Sequence, residues 1–230
     1  MVDLTGWQIQ NSLSEKLATE MIEAKGTVEV NLSFNGLGDD ECDLLAKVIK
    51  QSKFIKRLVL ENNHIHEAGA ASLALALTPE TGKDDPPLEV LNLRNNNIGD
   101  EGATKIAQVL TCNKTLKKVD LYWNNIGNKG LEAICNNLRP DFPKDFVLDI
   151  RYNGYDTSDP AIPWKDVRKK LNASNIQCDP DAPGPFSSKV SLSLSLSLSL
   201  SLFLSLVPPL SLSLLLSLSL SLSLSRVSLN

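Results

Sequence analysis

The chain has 230 residues, with 23 Lys and Arg against 27 Asp and Glu, for a formal charge of −4. Lys189 and Arg226 are the only charges after residue 186, which leaves 21 basic against 27 acidic residues in the body. A mildly acidic body with no basic stripe argues against nucleic acid or an anionic membrane surface as partner. Cys42, Cys112, Cys135 and Cys178 form no CxxC pair, and His64 and His66 are the only histidines, so no zinc spacing arises. The expectation is no metal, no cofactor and a reducing compartment. Residues 1–10 lack a basic stretch followed by an apolar run, so a signal peptide is not predicted. A cytoplasmic monomer is expected, with the nucleus left open.

In chain order, residues 12–25 read as an amphipathic helix with Leu13, Leu17, Met21 and Ile22 on one face. Residues 1–26 are read as an N-terminal capping helix that covers the edge of a sheet.

From residue 27 a pattern recurs. Leu88, Leu91, Leu93, Asn96 and Ile98 fit LxxLxLxxNxL at every fixed position. Ile55, Leu58, Leu60, Asn63 and Ile65 fit it equally well, as do Leu116, Val119, Leu121, Asn124 and Ile126. Thr27, Val30, Leu32, Asn35 and Leu37 make an earlier copy, and Leu148, Ile150, Asn153 and Tyr155 a degenerate last one. The asparagines at 35, 63, 96, 124 and 153 step by 28, 33, 28 and 29 residues.

The alternating centre of each copy predicts a short strand with one buried side. Strands are expected at 28–32, 57–60, 90–93, 118–121 and 147–150, parallel and adjacent. The asparagine ends each strand, because its short amide can bond backbone groups that have left the sheet. Asn35, Asn63, Asn96, Asn124 and Asn153 should therefore form a buried structural ladder. Apolar residues at helical spacing follow each asparagine, as in Ala103, Ile106, Ala107 and Leu110. Asp100 and Glu101 fall in the first turn of that helix, where the dipole favours negative charge.

A strand and a full helix in 28–29 residues resembles the ribonuclease-inhibitor-like subfamily of leucine-rich repeats. The resemblance implies an α/β fold, a leucine-rich-repeat solenoid built as a right-handed β-α horseshoe of about five repeats over 27–155. Parallel strands would line its concave side and helices its convex side.

The longest step includes residues 78–87, rich in turn formers. Gly82-Lys83 does not make a phosphate loop, since Leu77 and Asp84 occupy positions that need Gly and Ser or Thr. Residues 156–178 are read as a closing helix with Trp164 over the last layer. Residues 179–230 are a Pro-rich boundary and a Ser/Leu low-complexity tail, which reads best as a translated two-base repeat. A membrane anchor fits poorly: half the tail is Ser, and Pro208-Pro209 interrupts it.

Positions three, five and seven of each copy should face the concave side, with position eight at its rim. Position seven runs Ser33, Glu61, Arg94, Tyr122, Arg151; position eight runs Phe34, Asn62, Asn95, Trp123, Tyr152. Aromatic residues and Arg gather in the last three copies, and these types dominate binding hot spots. Arg94, Asp120, Tyr122, Trp123, Asp149, Arg151 and Tyr152 are accordingly the expected partner-binding residues, the two aspartates setting charge complementarity. No Ser-His-Asp set or recognisable carboxylate pair is present, so a non-catalytic protein-binding module is predicted. One alternative is a small-GTPase regulator resembling the Ran GTPase-activating protein, with Arg57 or Arg94 as contacts. Another is a ligand-sensing fragment related to nucleotide-binding innate-immune receptors.

Overall fold

The computed structural model describes residues 1–9, 13, 15–80, 85–138 and 146–156. All of them lie in one compact unit, Met1–Ser187. The expected closing helix with Trp164, the Ser/Leu tail, Cys178 and part of the 78–87 loop lie outside the described residues.

Six strands alternate with five helices: β1 Val2–Asp3, α1 Glu15–Glu23, β2 Glu29–Asn31, α2 Asp39–Gln51, β3 Arg57–Val59, α3 Glu67–Leu77, β4 Val90–Asn92, α4 Gly99–Leu110, β5 Lys118–Asp120, α5 Asn128–Asn137 and β6 Val147–Asp149. The strands form one parallel sheet in chain order. Each strand is three residues long at most. Val30, Leu58, Leu91, Val119 and Leu148 stand in register across the sheet, and all are buried. They join the apolar faces of the helices in one core, and each helix packs against the next. The fold is the predicted leucine-rich-repeat solenoid.

The sheet begins earlier than the sequence predicts. Val2 pairs with Val30, and Leu4 and Gly6 donate to the carbonyls of Asn31 and Ser33, each at 2.9 Å. Residues 2–9 are thus a further copy, and β1, not a helix, is the terminal strand. Its asparagine position holds Trp7, which is 70 % exposed. Without the asparagine the copy does not register in the repeat pattern.

The ladder runs through every later copy. Asn63 donates to the carbonyls of Leu32 and Leu60, each at 3.0 Å, and accepts from the amides of Asn35 and Leu37. Asn153 repeats this in the last copy, and Asn124 donates to the Leu93 and Tyr122 carbonyls and accepts from the Ile98 amide. Asn35, Asn63, Asn124 and Asn153 are buried. Asn96 makes the same kind of backbone bonds, to Leu60 and Leu93 at 2.9 Å, but is only half-buried. Its oxygen accepts from the Ile65 amide. That rung is the more open one.

A second device ties the helices. Asp100 stands in the first turn of α4, yet its Oδ1 accepts from the amides of Gly127 and Gly130 at the start of α5, at 2.7 and 2.8 Å. Asp39 of α2 likewise accepts from the amide of His66, which opens α3, at 2.8 Å. Each acid caps the helix of the following repeat.

Candidate functional site

The strand residues that alternate with the core positions lie on the side of the sheet away from the helices. At the C-terminal end of that side the side chains collect around Tyr122. The Arg94 guanidinium lies 3.9 Å from the Tyr122 ring centroid, and Tyr152 stacks at 4.8 Å with the rings inclined by 35°. Trp123 follows at 6.5 Å, and the Arg151 guanidinium stands 5.7 Å off. Five of the seven expected contact residues thus make one patch.

Position eight has a common backbone. Gly6, Phe34, Asn62, Asn95, Trp123 and Tyr152 all have left-handed φ values between 51° and 71°. The cause is the repeat itself. The position-eight amide continues the inter-strand ladder to a position-seven carbonyl, as in Phe34 to Glu61 and Trp123 to Arg151. The chain must then turn at once to bring the asparagine inward. Glycine and asparagine tolerate this conformation; for a bulky side chain it costs about 1–2 kcal/mol. Asn62 and Asn95 suit it, and their amides bond each other. Phe34, Trp123 and Tyr152 do not suit it, and 57, 42 and 38 % of their surface stays exposed.

The two expected aspartates play a different part. Asp120 and Asp149 are 6 and 4 % exposed. Asp120 accepts from the amide of Tyr122 at 3.2 Å and Asp149 from that of Arg151 at 3.1 Å. Asn31 and Asn92 hold Ser33 and Arg94 in the same way. Position five is therefore a turn-holding position, and its recurring Asp or Asn is the signal in the sequence that points to this. Asp149 also grips the Arg151 side chain through Nε at 2.9 Å and Nη2 at 2.5 Å. That bidentate bond, outweighing partial burial, holds the guanidinium still more firmly in its charged form. Lys118 stands 3.6 Å from Asp120, and Arg94 stands 3.5 Å from Glu61, a neighbour that sequence reasoning did not connect with it. Arg57 pairs with Glu29 at 3.3 Å, away from the patch.

Among the described residues, no group of three or more His, Cys, Asp or Glu is placed to hold a metal ion. No described helix is long and apolar enough to cross a membrane. On the helical side, Ala71, Leu75, Gln108 and Cys112 line a shallow cleft between α3 and α4.

Comparison with known proteins agrees with this geometry. The "Leucine Rich repeat" family model matches residues 85–107 and 112–135. Ribonuclease inhibitor of Mus musculus is 31 % identical over 110 residues, covering 48 % of this chain and 23 % of that protein. NACHT, LRR and PYD domains-containing protein 4C of Mus musculus is 31 % identical over 143 residues, covering 61 % of this chain and 14 % of that protein. A Caenorhabditis elegans protein phosphatase 1 regulatory subunit 37 homolog is 29 % identical over 141 residues, 60 % of this chain and 14 % of that one. The leiomodin-1 actin-binding site 2 structure superposes with a TM-score of 0.53 at 18 % identity, over 69 % of this chain and 87 % of that one. This last likeness is one of fold. The chain is a leucine-rich-repeat protein. Within that class it is homologous to ribonuclease inhibitor and to the repeat regions of the NACHT, LRR and PYD proteins, which places it in the ribonuclease-inhibitor-like subfamily. It spans under a quarter of the length of each of these relatives.

Proposed function

We propose that the chain is a non-catalytic module that binds another protein on the open face of β4–β6, through Arg94, Tyr122, Trp123, Arg151 and Tyr152. One observation carries the reading. Trp123 and Tyr152 are large, part-exposed and held in a backbone conformation that disfavours them, at a position that holds Gly or Asn in three other copies and Phe34 in a fourth. Backbone strain held at a part-exposed aromatic is a ground for inferring function. Asp120 and Asp149 act beneath the surface, setting the turns that present Tyr122 and Arg151. The names of the relatives support the class of partner: an inhibitor of ribonuclease and a regulatory subunit of protein phosphatase 1. A protein partner in the cytoplasm, met by a monomeric module without cofactor, fits this surface.

The test is affinity purification with the full chain, followed by binding measurements on variants of both faces. Trp123→Ala or Tyr152→Ala should each cost roughly 2 kcal/mol of binding. Glu132→Ala and Leu75→Ala, exposed on the helical side, should cost little. Equal losses on the two faces, or none on the sheet, would move the site to the helices.

A further inference from the structure

The Lys and Arg ion pairs on the two sides of the molecule are layered in opposite senses, whereas His66 on the helical side lies outside its partner Asp39. In the described pairs of the open sheet face the cation is the outer partner. Side-chain exposure is 41 % for Arg94 against 31 % for Glu61, 45 % for Lys118 against 8 % for Asp120, and 38 % for Arg151 against 6 % for Asp149. Arg57 and Glu29 follow the same order. In the lysine pairs of the helical side the carboxylate is the outer partner: Glu15 is 70 % exposed against 51 % for Lys47, and Glu80 45 % against 39 % for Lys50. The cause on the sheet is geometric. Asp120 and Asp149 are short and held down by the amides of Tyr122 and Arg151. The longer Lys and Arg arms reach past them to water.

A group approaching the patch therefore meets donors and aromatic rings first, although the chain as a whole is acidic. Of the two patch arginines, Arg94 is the more available. One face of its guanidinium is covered by the Tyr122 ring, and its charged neighbour Glu61 stands at 3.5 Å. Nε faces Glu61, and stacking of this kind leaves the terminal in-plane N–H groups clear of the ring to take a carboxylate. Arg151, by contrast, already holds Asp149 with two bonds. The buried carboxylates cancel the field at a distance, so attraction acts only at contact. That arrangement disfavours a polyanion such as nucleic acid or an anionic bilayer, which needs a net positive field. It suits a short segment with a few carboxylates and an apolar side chain.

Resting on the binding face proposed above, we infer that the partner offers an acidic peptide segment. Its carboxylate docks on the in-plane donors of Arg94, and a neighbouring apolar side chain lies on Trp123 and Tyr152.

The test uses a random-peptide phage library selected on the full chain, and a synthetic copy of the most enriched peptide. Enriched peptides should carry Asp or Glu beside an apolar residue. Their binding should weaken with added salt and fall about tenfold for either Arg94→Gln or Trp123→Ala, as expected of hot-spot residues. The thermal midpoint of Arg94→Gln, measured alongside, should stay near that of the parent. Neutral or basic peptides that still lose binding with Trp123→Ala would overturn the acidic partner and leave the face standing. Peptides indifferent to Trp123→Ala and Tyr152→Ala would overturn the face itself. Failure to enrich any peptide overturns the inference. So does a single-stranded RNA oligonucleotide or a phosphatidylserine vesicle that competes with the peptide for the patch.

Discussion

Asp100 and Gly130, thirty residues apart, are joined by a 2.8 Å hydrogen bond from the Gly130 amide to the Asp100 carboxylate. The same oxygen takes the amide of Gly127 at 2.7 Å. One aspartate thus satisfies two of the unpaired donors at the start of α5, and its charge meets the positive end of that helix dipole. Asp100→Ala should cost about 1–2 kcal/mol, the usual worth of a helix cap. Asp100→Asn keeps an acceptor and should cost less. Urea unfolding followed by circular dichroism reads both; an unchanged midpoint for Asp100→Ala would show that water replaces the cap without loss.

The same contact demands a glycine. A Cβ built on Gly130 would stand 2.6 Å from Ile126 Cγ2, 2.7 Å from Asp100 Oδ1 and 3.1 Å from Asp100 Cα. The last of these is backbone and cannot swing aside. Gly130→Ala should lower stability by about 1–3 kcal/mol through overpacking, despite the better helix propensity of alanine. A neutral or stabilising result would mean that α4 and α5 can separate freely.

Leu93 tests the inner side of the sheet. It is fully buried, one residue past β4 and directly between the ladder bonds of Asn96 and Asn124 to its carbonyl. Leu93→Ala should cost about 2–5 kcal/mol through the cavity it leaves. A loss well under that range would mean the layers collapse onto the gap.

Acid provides a different probe. Glu89 is held down to about 2, below the usual carboxylate range near 4.5, by bonds to Lys117 and then Lys56, which precede β5 and β3. A depressed carboxylate stabilises the fold fully above its unfolded value, and that contribution is lost as pH falls through the folded one. Between about pH 4.5 and 2 the thermal midpoint should therefore fall more steeply for the parent than for Glu89→Gln. The difference should shrink in high salt, because the pair is partly exposed. Parallel pH profiles would mean that the two lysines do not hold Glu89 in solution.

Strands and helices were legible because burial here follows the simplest periods, two and 3.6, and the asparagine fixes their phase. β1 was not, because Trp7 occupies the asparagine place and so removes the marker. The cap from Asp100 was hidden for another reason: its partners are backbone amides in the next repeat, which no side-chain pattern records. The aromatic column was visible as Phe34, Trp123 and Tyr152. Its left-handed backbone was not, since those residue types ordinarily argue against that conformation. Asp120 and Asp149 lie deeper than their place suggests, because sequence shows a carboxylate's position in the column but not its depth.

That left-handed column yields the sharpest test. If Trp123 and Tyr152 are kept for contact, replacing them by the residue that the same column carries at 62 and 95 should relieve the backbone. Trp123→Asn and Tyr152→Asn should then raise stability by about 0.4–1 kcal/mol, the scale of other backbone-compatible substitutions. The stacking lost is modest at Trp123, whose ring stands 6.5 Å from Tyr122, and larger at Tyr152, at 4.8 Å. The gain should accordingly be clearer for Trp123→Asn. Partner binding should fall for both, so stability and affinity would move in opposite directions. If both variants instead lose more than about 1 kcal/mol of stability, beyond the usual range of a surface substitution, the aromatics are a cover for the neighbouring strands. The partner would then have to be sought elsewhere on the repeat.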